Sequence, residues 1–272
     1  MMRDLADLYD GFILDLWGVI HDGVRPYPGA VNCLARLKDA GKRSVLLSNA
    51  PRRAAVAQAA MRAMGIDDDL YSRILTSGEM THTMLQDRTD PWFARLGNRV
   101  YHLGPERDRN VIEGLGLDRM AAPEGAEFVL NTGPDDLGSV TDPAAYDAVL
   151  ASCLAAGLPM VCANPDLEVV RGGLRVVCAG TLAQRYEAAG GEVRWVGKPD
   201  PAIYAPVLAM LGVARVLAVG DALRTDIAGA ASVGLDSCWV LGGIHKDDLT
   251  PPRDAAAAVG LTPVAIMDAF VW

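Results

Sequence analysis

Short apolar runs alternate with Ala-rich stretches of helical period along most of the 272 residues. "FILDLW" (12–17) predicts a buried strand, and "GAVNCLARLKDAG" (29–41) a helix stopped by Gly41. "RSVLLSNA" (43–50) and "RRAAVAQAAMRAMG" (52–65) repeat the unit, the second helix ending at Gly65. Strand, helix, strand, helix is the pattern of a parallel sheet covered on both faces, which binds ligands at the carboxyl ends of its strands.

After "ILTSGEM" (74–80) the pattern restarts. "RVYHLG", "EFVLNTG" and "LPMVCANPD" predict further strands, with helices near 107–115 and 143–156. From about residue 180 the first rhythm resumes with "LAQRYEAAGG", "VRWVGKPD", "PAIYAPVLAMLG", "RVLAVGDA", "RTDIAGAASVG" and "DSCWVLGG". The expected organisation is an α/β core built from 1–78 and 180–272, interrupted by an inserted α/β unit over 79–179.

Composition narrows the function classes. A formal charge of −9 and a pI near 4.9 argue against a broad nucleic-acid footprint and against binding to anionic membranes. The five cysteines, at 33, 153, 162, 178 and 238, form no CxxC pair, so neither a disulfide framework nor a zinc site is expected. "MMRDLADLYDGF" opens with acids and without a long apolar run, so a cytoplasmic protein with no membrane span is expected.

Polar residues collect just past the apolar strands: Asp15, Ser48 with Asn49, Lys198, and Asp221 with Asp226. Taken singly, each is ordinary turn or cap chemistry. Together, a nucleophilic carboxylate, a hydroxyl, a Lys and an acidic pair suit phosphoryl transfer at a Mg²⁺ held by hard oxygens. The four His share no metal-ligand spacing, and the glycine pairs make no dinucleotide fingerprint.

In order and spacing these segments resemble the haloacid dehalogenase-like (HAD) hydrolases, in particular the subfamily with a large inserted α/β cap that includes NagD and 4-nitrophenyl phosphatases. "LDLWGVIHDGVRPYPGA" resembles the first motif, "LLSNA" the second, "VGKPDPAIY" the third and "AVGDALRTDIAGAASVG" the fourth. The resemblance implies a Rossmann-like parallel core with an α/β cap, and a small phosphorylated metabolite as substrate. It makes Asp15 the nucleophile, Ser48 and Lys198 phosphate-binding groups, and Asp15, the Trp17 carbonyl, Asp221 and Asp226 the metal site. Gly18, Asn49, and Asn164 with Asp166 of "CANPDLEV" would lie against substrate at the junction of cap and core. A cap-mediated homodimer is compatible with it.

Trp17 departs from the family pattern, which places there a second Asp whose carboxyl protonates the leaving oxygen. Trp keeps the backbone carbonyl and loses the acid. Three readings follow: a phosphatase for good leaving groups or with a borrowed acid, for which His21 and Asp22 are nearest in sequence; a non-phosphatase hydrolase of the same superfamily; or a protein that binds a phosphorylated ligand or a partner without turnover.

Overall fold

The computed structural model describes residues 1–135, 141–246 and 249–272. The chain begins on a parallel sheet with β1 (Gly11–Leu14), β2 (Arg43–Ser48) and β3 (Arg73–Thr76). It then builds a second sheet from β4 (Arg99–Leu103), β5 (Asp118–Met120), β6 (Phe128–Asn131) and β7 (Met160–Cys162). An antiparallel hairpin follows, β8 (Glu168–Arg171) with β9 (Leu174–Val177), and then β10 (Val193–Trp195). The first sheet is completed by β11 (Val216–Gly220), β12 (Asp236–Val240) and β13 (Ala265–Met267). The orders are β13-β12-β11-β1-β2-β3 and β10-β7-β6-β4-β5, with every pair in both sheets parallel.

Both faces of the first sheet are buried, which is why its central strands read as continuous apolar runs. Phe12, Leu14, Leu46, Leu217 and Val219 join one core, while Ile13, Val45, Leu47 and Ala218 join the core on the opposite face. The helix Ala30–Asp39 buries Ala30, Cys33, Leu34 and Leu37, a single stripe of period 3.6, against the first of these.

The return to the first sheet comes later than residue 180. β10 pairs with β7, through Val193 opposite Met160 and Trp195 opposite Cys162, and the helix Ala179–Ala188 buries Leu182, Ala183 and Tyr186 with Val129 and Met160. The expected 79–179 insertion therefore stops short of a helix and a strand that belong to the second sheet. The crossing back lies between Trp195 and Lys198. The expected helix at 107–115 is a 3-10 turn over Glu106–Val111, and "RTDIAGAASVG" opens with a π-helical turn, Leu223–Ile227, before the α-helix Ala228–Ser232. All five cysteines are buried free thiols.

Candidate active site

Asp15, Ser48 and Asp221 follow directly on, or end, neighbouring parallel strands, because the register aligns Leu14 with Leu46 on one side and with Val219 on the other. The Asp15 N–H donates to the Val219 carbonyl at 2.9 Å, which ties the turn after β1 to β11. Lys198 enters from the crossing between the sheets. Its N–H donates to Asn49 Oδ1 at 2.8 Å, and Nζ lies 2.6 Å from Asp15 Oδ1, 2.6 Å from Asp226 Oδ1 and 3.0 Å from the Leu47 carbonyl. The π-helical turn brings Asp226 back so that Oδ2 also accepts from the Ala222 N–H.

Asp221 is held by close backbone approach. Its Oδ2 accepts from the Ile244 N–H at 2.7 Å. A Cβ on Gly18, which has φ +79°, would stand 2.0 Å from that oxygen, and one on Gly243 1.8 Å from it, so both positions require glycine. Gly18 thus shapes the carboxylate's pocket besides lining the cavity.

Carboxylate oxygens of Asp15, Asp221 and Asp226 lie within 4.8 Å of one another, the one cluster among the described residues with the donors for a metal ion. All three are buried, with a single ammonium between them. Burial raises the Asp15 carboxyl well above the usual range; Lys198 pulls against it, and Asp226 and Asp221 add to it. Burial, reinforced by Asp226, raises Asp221 to about 8. Burial also opposes the charge on Lys198, but Asp15, Asp226 and Asp166 outweigh it and hold its pKa well above the ordinary lysine value. Too much negative charge and too little positive charge is the state of a cation site.

Ser48 Oγ accepts from the Ala50 N–H, leaving its own O–H to donate. Asn49 Nδ2 donates to Asp166 Oδ1 at 2.9 Å and to the Lys198 carbonyl. Asn164 accepts from the Asp166 N–H, closing the Asn-Pro-Asp turn, and lines a neighbouring cavity. The sequence-selected residues are therefore gathered at one place, Asn164 at its margin.

A profile of the haloacid dehalogenase-like hydrolase family matches residues 12–118, and a second, HAD-hydrolase-like profile matches 195–263. Rat chronophin is 30% identical over 283 residues, covering 96% of this chain and 86% of chronophin. This chain belongs to the haloacid dehalogenase-like hydrolases. Within them it is similar to Escherichia coli NagD, 27% identical over 248 residues, and to a 4-nitrophenylphosphatase of Thermotoga maritima, 25% identical with a TM-score of 0.73, as the motifs implied. The D-glycerol 3-phosphate phosphatase of Mycobacterium tuberculosis is 30% identical over 247 residues, which span 90% of this chain and 66% of that enzyme. The crystal structure of a haloacid dehalogenase-like hydrolase from Brucella suis superposes with a TM-score of 0.86 at 32% identity, covering 99% of this chain and 98% of that one.

In this HAD-like hydrolase His21 and Asp22, the candidates nearest Trp17 in sequence, are held by local contacts. His21 is 4% exposed, packs edge-on to Trp17, and accepts the Gly23 N–H on Nδ1 at 3.0 Å. Against the cost of burial, the N–H groups of Arg25 and Val24 hold the Asp22 carboxyl below its usual pKa, and they occupy its Oδ1. Neither residue lines the catalytic cavity, whereas Tyr27 and Glu168 do. Sequence reading passed over both. Tyr27 sits inside the first-motif segment, and Glu168 follows Asp166 by two, but nothing in the pattern turns either side chain toward the site.

Burial depresses His21 to about 4. The unfolded chain therefore binds a proton near pH 6.5 that the folded chain refuses, so stability present above pH 6.5 is lost as pH falls toward 4, by about 3 kcal/mol at most. His21→Asn, which keeps an acceptor for Gly23, is expected to flatten this part of the acid decline in urea midpoint. An unchanged decline would show that His21 is not linked to folding.

Among the described residues no helix is long and apolar enough to cross a membrane.

Proposed function

We propose that this hydrolase is a Mg²⁺-dependent phosphatase of a small phosphorylated metabolite, with Asp15 as nucleophile. The observation that carries the reading is the buried Asp15, Asp221 and Asp226 cluster within 4.8 Å, in which Lys198 is the one cation paired with it among the described residues. Three hard carboxylates with an uncompensated charge fit Mg²⁺, which Asp15, Asp221 and the Trp17 carbonyl would hold, with Asp226 supporting its water shell. When bound, the ion offsets the repulsion between an anionic phosphate and an anionic nucleophile. Support also comes from the M. tuberculosis glycerol phosphate phosphatase, whose structure was solved in complex with magnesium.

Asp15 attacks phosphorus, its new O–P bond forming as the bond to the leaving oxygen breaks, and an aspartyl-phosphate results. Ser48 and Lys198 donate to the phosphoryl oxygens and hold the group in line. Water then attacks phosphorus, restoring the Asp15 carboxylate and releasing inorganic phosphate. With Trp17 where an acid is usual, the leaving oxygen departs as an anion and takes its proton from solvent, so aryl and acyl phosphates are the favoured substrates.

The test is hydrolysis of 4-nitrophenyl phosphate and acetyl phosphate with and without Mg²⁺. Mg²⁺-dependent release of inorganic phosphate is expected from both. Trp17 supports a second reading, a phosphate-binding descendant without turnover. Mg²⁺-dependent phosphate binding with no hydrolysis of either ester would establish that one instead.

A further inference from the structure

On the other side of Trp17 from the Asp15 cavity lies a second one, of about 300 Å³, lined by residues that follow strands of both sheets and by the β8–β9 hairpin. The two cavities share Trp17, Asp166 and Val169 as lining residues, so they lie side by side. Their chemistry is opposite. The first holds Asp15, Asp221 and Asp226 around Lys198. The second is lined by three arginines, Arg52, Arg107 and Arg171, against two acids, Asp108 and Asp166.

Both acids are engaged. Asp108 Oδ1 lies 3.4 Å from Arg52 Nε, and Asp166 Oδ1 accepts from Asn49. The Arg171 side chain, at the end of β8, makes no hydrogen bond or ion pair among the described residues. The remaining wall is mostly apolar, with Val169, Leu174, Val176 and Val177 of the hairpin on one side.

We propose that the leaving group of the natural substrate fills this second cavity. It has a compact apolar or planar body lying on Trp17, and at its far end an anionic group, a carboxylate or a second phosphate, bound by Arg171. The proposal deepens the phosphatase reading and rests on it. It also fits the chemistry at Trp17, because a planar aromatic alcohol is both a stacking partner and a leaving group that departs without a proton.

The experiment is calorimetric titration of the Asp15→Asn protein in Mg²⁺ with inorganic phosphate, phenyl phosphate, 4-carboxyphenyl phosphate and benzene-1,4-diyl bisphosphate. At least one of the last two is expected to bind about tenfold more tightly than phenyl phosphate, as charge-assisted hydrogen bonds to one arginine allow. Which of them does so identifies the carboxylate or the phosphate. Arg171→Gln is expected to erase the preference and leave phenyl phosphate binding unchanged. The ratio of kcat/KM for the same esters in otherwise wild-type protein gives a second measure that does not depend on the Asn variant. Inorganic phosphate binding without any preference among the esters overturns this proposal alone, as does a preference that survives in Arg171→Gln. Failure of the wild-type protein in Mg²⁺ to bind inorganic phosphate and to hydrolyse any of these esters overturns the phosphatase reading and this proposal with it.

Discussion

Asp15→Asn is expected to reduce Mg²⁺-dependent hydrolysis of 4-nitrophenyl phosphate on the order of 10³-fold or more, since a neutral amide cannot form the acyl phosphate. The substitution is nearly isosteric, and an amide oxygen at the position of Asp15 Oδ1 can still accept from Lys198 Nζ, which is 2.6 Å away in the native chain. Folding should not suffer. Burial already raises the Asp15 carboxyl well above its usual range, so the native ion-free site carries a charge it holds unfavourably, and a neutral side chain relieves it. The metal-free variant is accordingly expected to melt no lower than wild type, while its Mg²⁺ affinity falls because one carboxylate ligand is gone. Loss of turnover with an unchanged or higher Tm assigns the effect to chemistry. Turnover within tenfold of wild type would remove Asp15 from the nucleophile's place.

Trp17→Asp is expected to raise turnover of an alkyl phosphate such as glycerol phosphate about 10²-fold relative to 4-nitrophenyl phosphate. A positioned acid contributes roughly 10²- to 10⁴-fold where the leaving oxygen is a poor anion, and little where it is a good one. In wild type, rates should therefore fall steeply as the leaving alcohol becomes less acidic, and the variant should flatten that slope. Trp17 packs against the main core and its ring covers Gly23, where a Cβ would meet it at 2.0 Å. Removing so large a side chain costs about 3–5 kcal/mol, so rates must be referred to folded protein. A wild-type slope that is already flat would mean that another group protonates the leaving oxygen. Tyr27 and Glu168, which line the same cavity, would then be the residues to substitute.

Much of the architecture was legible because doubly covered parallel strands leave a strong trace. β1 and β11 are unbroken apolar segments, β2 carries the apolar run Val45–Leu47, and each run is followed by a polar residue of the site. What periodicity does not carry is sheet membership. The Ala179–Ala188 helix and β10 have the same pattern as the units of the first sheet, and only their packing against Met160 and Cys162 assigns them to the second. Lys198 was consequently expected at the end of a core strand, whereas it stands on the crossing. The β8–β9 hairpin did leave a signal: "EVVRGGLRVV" is a pair of strands about a Gly-Gly turn, with φ +55° and +87° at Gly172 and Gly173, and those glycines had been weighed only as a dinucleotide motif. The arginine-lined cavity could not be anticipated, since Arg52, Arg107 and Arg171 are remote in sequence and meet only when the hairpin folds over the end of the first sheet.

The late crossing also decides how this protein can be recombined. A graft that exchanged only residues 79–179 would leave the Leu182, Ala183 and Tyr186 face and the β10 edge without their native partners on β6 and β7, and the hybrid would inherit a mismatched seam. The exchangeable block closes after Trp195, immediately ahead of the lysine, so every donor block must deliver the chain to Lys198 at a fixed position and direction. New specificities can be imported only where the incoming segment hands the chain back at the point where the Asn49 side chain receives it.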